Sequence, residues 1–345
     1  MEKTILVTGG AGFIGSHLIN RLIRNADYYV VSIDNLSNYY DVNLKLHRLE
    51  LLKETAAKIR AIEEYPTDRY TFIKGDISDK EFVDGLFQQY HPDIVVNLAA
   101  QAGVRYSIDN PQAYVDANLI GFFNVMDLCR MYQVDHFIYG SSSSVYGNNA
   151  KIPFSTDDNV DKPVSFYAAT KKADELMAYS YSKIYGLPCT GLRFFTVYGP
   201  WGRPDMSYYK FTQDLVRGNP ITIFNYGDMY RDFTYIDDVI DAINSVIQMG
   251  PHTSSEDVPY KIYNIGNNRP QHLMTFVHVL EDILREQDLI TETPKHDLLP
   301  MQPGDVYKTF ADIDESRADF GFNPSTPIEQ GLQEFVLWFK EYHSL

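Results

Sequence analysis

The stretch TILVTGGAGFIGSHL, residues 4–18, decides the fold that the sequence predicts. Its first five residues are a compact run with high β propensity, and apolar residues at helical spacing begin at Phe13. Between them, Gly9, Gly12 and Gly15 form the pattern G-x-x-G-x-x-G. Glycine permits a tight turn and lets backbone N–H groups at a helix N-terminus approach a diphosphate. The stretch therefore predicts a strand, a phosphate-binding turn and a helix.

The same alternation of short apolar runs and helical segments continues along the chain. The further runs predicted as buried strands are YVVSID, YTFIKGD, PDIVVNLAA, HFIYGSS and CTGLRFF. Helices are predicted over residues 80–90, 113–132 and 168–185, and a long charged helical insertion over residues 43–64. This order is typical of an α/β protein with a Rossmann-type, doubly wound parallel sheet.

Composition excludes several classes of protein. The formal charge of −16 argues against nucleic acid and anionic membranes as partners, because both require clustered Lys and Arg. Cys129 and Cys189 have no metal or redox spacing, which favours a reduced, cytoplasmic protein. The histidines show no ligand pattern, so no metal site is predicted. No stretch approaches the ~18 apolar residues of a membrane span, and the N-terminus resembles neither a signal peptide nor an anchor.

Two acidic residues are candidates for contacts with a dinucleotide. Asp34 ends the second predicted strand, and an acid at this position binds both ribose hydroxyls and repels a 2′-phosphate, which favours NAD over NADP. Asp76 follows the third strand and either hydrogen-bonds the adenine amino group or caps the next helix. Ser78 competes for that cap, and the sequence leaves the two interpretations open.

YAATK places Tyr167 and Lys171 four residues apart, on one face of a helix. A free tyrosine has a pKa near 10 and is a poor base at neutral pH. A lysine ammonium one turn away, together with a positive nicotinamide ring, favours the phenolate. A pKa of about 7 for this tyrosine requires ~4 kcal/mol of differential stabilisation.

The serine run SSSSVYG, residues 141–147, has two interpretations. It is either a surface turn or a row of hydrogen-bond donors aimed at a substrate. Taken alone, the run favours the surface turn.

Together these motifs resemble the extended short-chain dehydrogenase/reductase family. The glycine turn, LAAQAG after strand four, the serine run after strand five and Y-x-x-x-K some 25 residues later carry the resemblance, which extends to RDFTYIDDV and QPGDV. It implies that Ser142 shares the substrate proton with Tyr167, and that Ser141 and Ser143 contact the substrate. The implied NAD contacts are Gly9, Gly12, Phe13, Ile14, Gly15, Asp34, Asp76, Ile77, Ala99 and Lys171.

Within that family, NYYDVNLK, AAQAGVRYSIDNP, RFFTVYGPWGRPDM and PFSTDD most resemble the UDP-glucuronate 4-epimerases. The family's 4,6-dehydratases and UDP-glucuronate decarboxylases place carboxylates beside the serine, whereas this chain continues with Ser144 and Val145. Thr196 replaces the Asn that UDP-galactose epimerases usually carry. The resemblance implies a UDP-sugar substrate and a homodimer built from two helices of each subunit. The alternatives are a UDP-glucose or UDP-N-acetylglucosamine 4-epimerase and a non-catalytic NAD-binding relative.

Basic residues supply the remaining substrate candidates. Arg203, with Thr196, is a candidate contact for a sugar carboxylate, and the alternative for Arg203 is a salt bridge that anchors its loop. Arg231 resembles the diphosphate-binding arginine of the family, and its alternative is a surface ion pair. A second arginine that often precedes PGD is replaced by Gln302. Arg105 and Lys210 are the candidates to replace it.

The regular alternation of strands and helices ends after about Arg193, and the Pro/Gly-rich loop YGPWGRPDM, residues 198–206, follows. This change predicts a smaller, interleaved C-terminal substrate domain. We expect residues 1–193 plus about 231–265 to form the NAD-binding Rossmann domain, with YRDFTYIDDVIDAINSVI and YKIYNIG returning to the sheet. We expect about 194–230 plus 266–345 to form the UDP-sugar-binding domain.

Overall fold

The computed structural model describes residues 2–63, 68–252, 258–301 and 306–345. The strands are β1 (Lys3–Thr8), β2 (Tyr28–Asp34), β3 (Tyr70–Lys74), β4 (Ile94–Asn97), β5 (His136–Ser142), β6 (Cys189–Phe194), β7 (Thr196–Tyr198), β8 (Ile221–Phe224), β9 (Tyr230–Arg231), β10 (Phe233–Tyr235), β11 (Tyr260–Ile265), β12 (Gln271–His272) and β13 (His296–Leu299). The helices are α1 (Phe13–Leu22), α2 (Val42–Glu63), α3 (Lys80–Tyr90), α4 (Tyr106–Asp109), α5 (Pro111–Tyr114), α6 (Phe122–Met131), α7 (Phe166–Tyr185), α8 (Ser207–Val216), α9 (Ile236–Met249), α10 (Leu273–Glu286), α11 (Asp314–Phe320) and α12 (Ile328–Tyr342). A π-helical segment, Val115–Gly121, joins α5 to α6.

A seven-stranded sheet in the order β11-β6-β5-β4-β1-β2-β3 forms the centre of the fold. All neighbouring strands in it are parallel. The chain builds outward from β1 through β2 and β3, then returns to the other side of β1 with β4. The prediction of a Rossmann-type, doubly wound sheet is confirmed. Such a sheet binds ligands at the carboxyl ends of its strands, where the order reverses between β1 and β4.

Apolar residues of the strands cover both faces of the sheet, as expected for parallel strands between two layers of helices. Along β1, Ile5 and Val7 belong to the core that packs with α1, α9 and α12. Leu6, between them, belongs to the second core, which packs with α3, α6 and α7. The strand therefore separates two helical layers, and no helix among the described residues is long and apolar enough to cross a membrane.

Three small sheets lie outside the central one. β7 pairs with β10 and β8 with β13 in parallel, and β9 pairs with β12 antiparallel. The expected return of YKIYNIG to the central sheet is correct, because β11 forms its edge beside β6. For RDFTY the expectation is wrong, because its strands pair with β7 and β12 instead. The division into a cofactor domain and a substrate domain is a proposal that this separation of sheets supports.

Most predicted helix bounds agree with the structure, and the differences arise from local backbone features. The predicted helix over 113–132 is divided by the π-helical segment. Helix α7, which carries Tyr167 and Lys171, begins at Phe166, two residues earlier than expected. It begins there because Ser165 caps it by accepting a hydrogen bond from the Ala168 N–H at 3.1 Å. The cap of α3 is Asp79, not Asp76 or Ser78. Glu64, the predicted end of α2, lies outside the described residues.

The turn after β1 depends on glycine because three backbone segments meet there. A Cβ atom on Gly15 would lie 2.2 Å from the carbonyl oxygen of Gly9. Gly9 has a φ of +71°, and a Cβ atom there would lie 2.8 Å from the backbone nitrogen of Ala99, beyond β4. Real side chains do not tolerate such approaches. The glycines therefore allow α1 to start directly against the ends of β1 and β4.

We predict that Gly15→Ala destabilises the protein by about 3 kcal/mol, because the new methyl group must displace rigid backbone. Gly85→Ala is the matched control: Gly85 lies within α3 with nothing within 4 Å of the added methyl group. It should stabilise the protein by about 0.5–1 kcal/mol. Urea denaturation followed by circular dichroism measures both. Equal effects of the two substitutions would contradict the close packing of the turn.

Candidate active site

A cavity of about 1040 Å³ opens at the carboxyl edge of the central sheet. Its walls come from the turn after β1, the segments after β2, β3 and β4, the end of β5, α7 and the first part of α8. The predicted residues that line it are Gly9, Gly12, Phe13, Ile14, Gly15, Asp34, Asp76, Ile77, Ala99, Arg105, Ser141, Ser142, Ser143, Tyr167, Lys171, Thr196, Arg203 and Lys210. The topology thus brings distant motifs of the chain to one cavity.

Asp34 is buried at the cofactor end of this cavity. Its carboxylate accepts hydrogen bonds from the backbone N–H groups of Ala11, at 3.2 Å, and Leu36, at 2.8 Å. It also pairs with the Lys45 ammonium of α2 at 3.3 Å, and both side chains are over nine-tenths buried. The sequence analysis missed Lys45, because a partner on the insertion helix carries no local signal. The bonds fix Asp34 beside the glycine turn, where a ribose hydroxyl acceptor is needed.

Asp76 is a constrained acceptor and not a helix cap. Asn35 donates to one of its oxygens at 2.8 Å, and the Ser78 backbone and hydroxyl donate to the other at 2.9 and 2.8 Å. Burial raises the pKa of Asp76, but these hydrogen bonds outweigh it and hold the pKa below its ordinary value. Asp76 is therefore an anion on the cavity wall, although its helix is capped by Asp79.

A second residue of α2 joins the glycine turn to the Gly-Pro loop. Arg48 is buried, and its Nη1 donates to the Ala11 carbonyl at 2.9 Å and to the Tyr40 hydroxyl at 2.8 Å. Its Nη2 donates to the carbonyls of Trp201 and, at 3.3 Å, Gly202. The insertion helix, which the sequence analysis described only as charged, thus ties the cofactor turn to the loop that carries Arg203.

Tyr167 and Lys171 both reach the cavity from α7. The Lys171 ammonium is buried and donates to the Gly140 carbonyl at 2.9 Å and to the Asp174 carboxylate at 3.1 Å. Asp174 lies one turn further along the same helix and was not recognised in the sequence. Protein groups alone, at the end of β5 and on α7, therefore hold the lysine in position.

The serine run divides into residues with different partners. Ser142 ends β5, and its Oγ accepts a hydrogen bond from the Ser144 N–H at 3.2 Å, which leaves the hydroxyl proton for another acceptor. Ser141 instead donates to the Glu175 carboxylate at 2.7 Å. Of the two, Ser142 is the better placed to donate to a ligand, whereas Ser141 is oriented by an acid beneath it.

Glu175 belongs to a buried ionic network below the cavity. Arg193 of β6 donates to both carboxylate oxygens, at 2.8 and 2.9 Å, and also to the Tyr146 hydroxyl at 2.9 Å. Burial raises the pKa of Glu175, but Arg193 outweighs it and keeps the pKa below its ordinary value. The ionised Glu175 therefore holds α7, β6 and the serine turn in one arrangement. Both ions were missed because a buried pair between a helix and a strand has no sequence spacing of its own.

The wall of the cavity at the Gly-Pro loop contains an arginine that is already paired. Arg203 donates from Nε and Nη2 to the two oxygens of Asp205, at 3.0 and 2.9 Å. The Tyr39 hydroxyl also donates to Asp205, at 3.3 Å, and burial raises the pKa of Tyr39 to about 12. The salt bridge considered as the alternative for Arg203 is thus present, but it lies on the cavity wall beside Thr196. A ligand carboxylate would share this guanidinium with Asp205.

The remaining basic candidates lie in different places. The Arg105 guanidinium stacks 4.4 Å from the centre of the Phe224 ring, and both residues line the cavity together with Lys210. Arg231 is outside the cavity lining and donates to the Tyr230 carbonyl at 2.9 Å. Gln302 lies outside the described residues. The roles suggested for these side chains therefore stay predictions.

The residues of the cofactor end fit a dinucleotide. The glycines let the turn pack closely against backbone that a Cβ atom would meet, and α1 begins there with no acid in its first turn. Its N-terminal N–H groups and dipole therefore favour an anion. The described part of the chain contains no group of three or more His, Cys, Asp or Glu side chains that could hold a metal ion.

A doubly wound parallel sheet, a glycine turn, an acid after the second strand and a Tyr–Lys pair on one helix define an enzyme that uses a nucleotide cofactor. The model of the NAD dependent epimerase/dehydratase family matches residues 5–266, and the chain belongs to that family.

Individual relatives extend the similarity over the whole chain. Protein CapI of Staphylococcus aureus is 45% identical over 350 residues, covering 98% of this chain and 99% of the relative. A probable UDP-glucuronate 4-epimerase of Rhizobium meliloti is 41% identical over 348 residues, covering 97% and 96%. The solved structure of UDP-glucuronic acid 4-epimerase from Bacillus cereus, in complex with UDP-glucuronic acid and NAD, has a TM-score of 0.85 and 31% identity, covering 98% and 99%.

Proposed function

We propose that the protein is an NAD-dependent UDP-glucuronate 4-epimerase that forms UDP-galacturonate. The observation that carries this proposal is that one cavity holds the glycine turn, Tyr167 with Lys171, a serine turn without a carboxylate, and an arginine at the Gly-Pro loop. The similarity to 4-epimerases of UDP-glucuronate supports the same reaction and substrate. The cofactor is NAD, as in the family to which the chain belongs.

The proposed reaction uses a small number of side chains. When bound, NAD supplies a hydride acceptor that also returns the hydride. The Tyr167 phenolate accepts the O4 proton of the sugar, and the Ser142 hydroxyl shares that proton. Lys171 places a positive charge one helical turn from the phenolate and faces the cofactor end of the cavity. The sugar must then turn over between the two half-reactions, which requires a cavity that holds it mainly by its nucleotide.

The carboxylate of this substrate adds a second requirement. The 4-keto sugar is a β-keto acid, which loses carbon dioxide when the bond to its carboxylate aligns with the carbonyl π system. The enzyme must therefore restrain the carboxylate while the ring is oxidised. Charge-assisted hydrogen bonds suit this task, and the proposed donors are Thr196, Arg203 and Ser143. The hydroxyl of Ser141, predicted as a further contact, gives its only proton to Glu175 and so cannot donate to the carboxylate. Asp205 limits how far Arg203 can move, because it holds the Nε–Nη2 edge of the guanidinium.

We also propose that the protein acts in the cytoplasm as a homodimer formed by α6 and α7. Exposed apolar side chains on these elements support the interface: Phe123 of α6 is 39% exposed, and Leu176 and Tyr179 of α7 are 58% and 41% exposed. Light scattering should give twice the chain mass of 39.6 kDa, and Leu176→Asp should shift the protein toward the single-chain mass. A single-chain mass for the unaltered protein would contradict the dimer.

Tyr167→Phe removes the proposed base and keeps the ring. We expect the rate of epimerisation of UDP-glucuronate to fall ~10²- to 10⁴-fold, with substrate affinity changed only a few-fold. Chromatographic assay of UDP-galacturonate measures the rate, with UDP-glucose and UDP-N-acetylglucosamine tested side by side. Tyr185→Phe, at the exposed end of the same helix, is the control and should keep full activity. Turnover of Tyr167→Phe near that of the control would place the base elsewhere.

Arg203→Ala removes the proposed carboxylate donor. We expect epimerisation of UDP-glucuronate to slow roughly 10- to 100-fold, the value of one hydrogen bond to a charged group. A 4-keto-pentose product or carbon dioxide should also form, because the carboxylate can then align with the carbonyl, and Thr196→Ala should act in the same direction. Mass spectrometry of the nucleotide sugars detects this product.

Arg285→Ala is the matched control for this experiment, because Arg285 is an exposed, ion-paired arginine on α10 outside the cavity lining. It should leave both rate and product unchanged. Equal losses for Arg203→Ala on UDP-glucuronate and on neutral UDP-hexoses, without a decarboxylated product, would show that Arg203 does not bind the carboxylate.

A further inference from the structure

Asp174 is a buried acid that the proposed reaction does not use. Its side chain has no solvent exposure, and it lies on α7 between the cavity wall and the second core. One oxygen, Oδ2, lies 3.1 Å from the Lys171 ammonium. The other, Oδ1, has no hydrogen-bond partner among the described residues. Burial of a carboxylate with one unpaired oxygen destabilises the folded protein, unless the positive charge of its partner requires a carboxylate at that position.

The partner of Asp174 shows what the acid does locally. A lysine ammonium has three N–H donors. In Lys171, one is used by the Gly140 carbonyl at 2.9 Å and a second by Asp174. Lys171 is itself only 4% exposed, and it lines the cavity. Two acceptors therefore fix the direction of the third donor, which is left for the cavity.

The same contact changes the charge near Tyr167. An ionised Asp174 cancels much of the field that the Lys171 ammonium exerts one helical turn away, whereas a protonated Asp174 leaves that field in place. Burial raises the pKa of Asp174 to about 7, against the lowering effect of Lys171, and Glu175 raises it further. The carboxyl group therefore changes charge in the pH range in which an enzyme works.

The other elements packed against this face of α7 carry their own ionisable groups. On β5, the π-helical segment and α6 these are His136, Tyr139, Asp116, Asp127, Cys129 and Arg130. Asp127 is engaged by Arg130 and Lys80, and the Tyr139 hydroxyl bonds that of Tyr260, which donates to the Glu175 carbonyl. Lys171 and Glu175 are the charges that act on Asp174.

We propose that Asp174 is a positioning residue that holds the Lys171 ammonium toward the cavity and sets the pH at which Tyr167 loses its proton. The proposal rests on the proposed function only in taking Tyr167 as the base. Its chemistry needs no further reactant, since the acid and the lysine only exchange hydrogen-bond and charge interactions. Because Asp174 pairs with the same ammonium that faces Tyr167 one helical turn away, removal of its negative charge should make the loss of the Tyr167 proton easier.

Asp174→Asn tests this directly, because asparagine keeps an oxygen acceptor for Lys171 and removes the charge. The protein, with its bound NAD, is labelled with ¹³C at the tyrosine Cζ, and the Tyr167 resonance is identified by its loss in Tyr167→Phe. In Asp174→Asn, we expect Tyr167 to lose its proton at a pH lower by about half a unit or more than in the unaltered protein. The acid limb of the pH dependence of kcat/KM should move by the same amount.

Asp127→Asn is the matched control, since it removes an ion-paired and largely buried carboxylate from the neighbouring α6. It should leave the Tyr167 titration unchanged. Asp174→Ala provides a second variant if the asparagine variant does not fold, and its Tyr167 titration should shift in the same direction. It should also lose more activity than Asp174→Asn, because it removes the acceptor for Lys171 as well as the charge.

An unchanged Tyr167 titration in a folded Asp174 variant would overturn the proposal, even if activity fell, because a merely structural role predicts lost activity without a shift. The spectroscopic reading does not need UDP-sugar turnover. Failure of the proposed function, with no epimerisation of any UDP-sugar tested, would therefore leave a shifted titration as support for the Asp174 role. Activity with no shift would leave the function standing and refute that role.

Discussion

The passage of Gly15 beside the carbonyl of Gly9 is the constraint on which the rest of the site depends. With no side chain between them, α1 starts directly at the end of β1, and Gly9 can lie against the Ala99 backbone beyond β4. That contact closes the point where the sheet reverses its order, so the segments after β1, β2 and β4 share one cavity. Asp34 is then fixed by the Ala11 N–H of the same turn.

Helix α7 carries two adjacent ion pairs, and the acids of the two pairs have different partners. Lys171 pairs with Asp174, and Lys172 pairs with Glu175 at 3.3 Å. Glu175 also has Arg193, so it is held as an ion, whereas Asp174 has a single cationic partner and an unpaired oxygen. Two neighbouring acids on one helix therefore have different tasks. The first pairs with Lys171, and the second holds the serine turn at the cavity wall.

The order of strands, the cavity edge and most of the predicted site residues in the cavity lining follow from local motifs in the sequence. The glycine spacing, the acid after β2 and the Tyr–Lys spacing are short patterns whose geometry is fixed by a turn or a helix. Lys45, Asp174 and the pair of Glu175 with Arg193 escaped the sequence analysis. Each acts through a partner that only the folded chain supplies, or lies beside a motif without belonging to it. The π-helical segment and the small sheet of β7 with β10 likewise arise from tertiary packing.

Arg48 forms hydrogen bonds with segments on both halves of the cavity. Its guanidinium holds the Ala11 carbonyl of the cofactor turn and the Trp201 and Gly202 carbonyls of the loop before Arg203. Its partners in these three bonds are neutral carbonyl oxygens and not a carboxylate. The bonds therefore persist only while all three carbonyls keep their positions. Any coupling between the two attachment points through Arg48 acts equally in both directions, because linked equilibria are reciprocal. Binding of a dinucleotide at the glycine turn would therefore also restrict the loop before Arg203, through this one side chain.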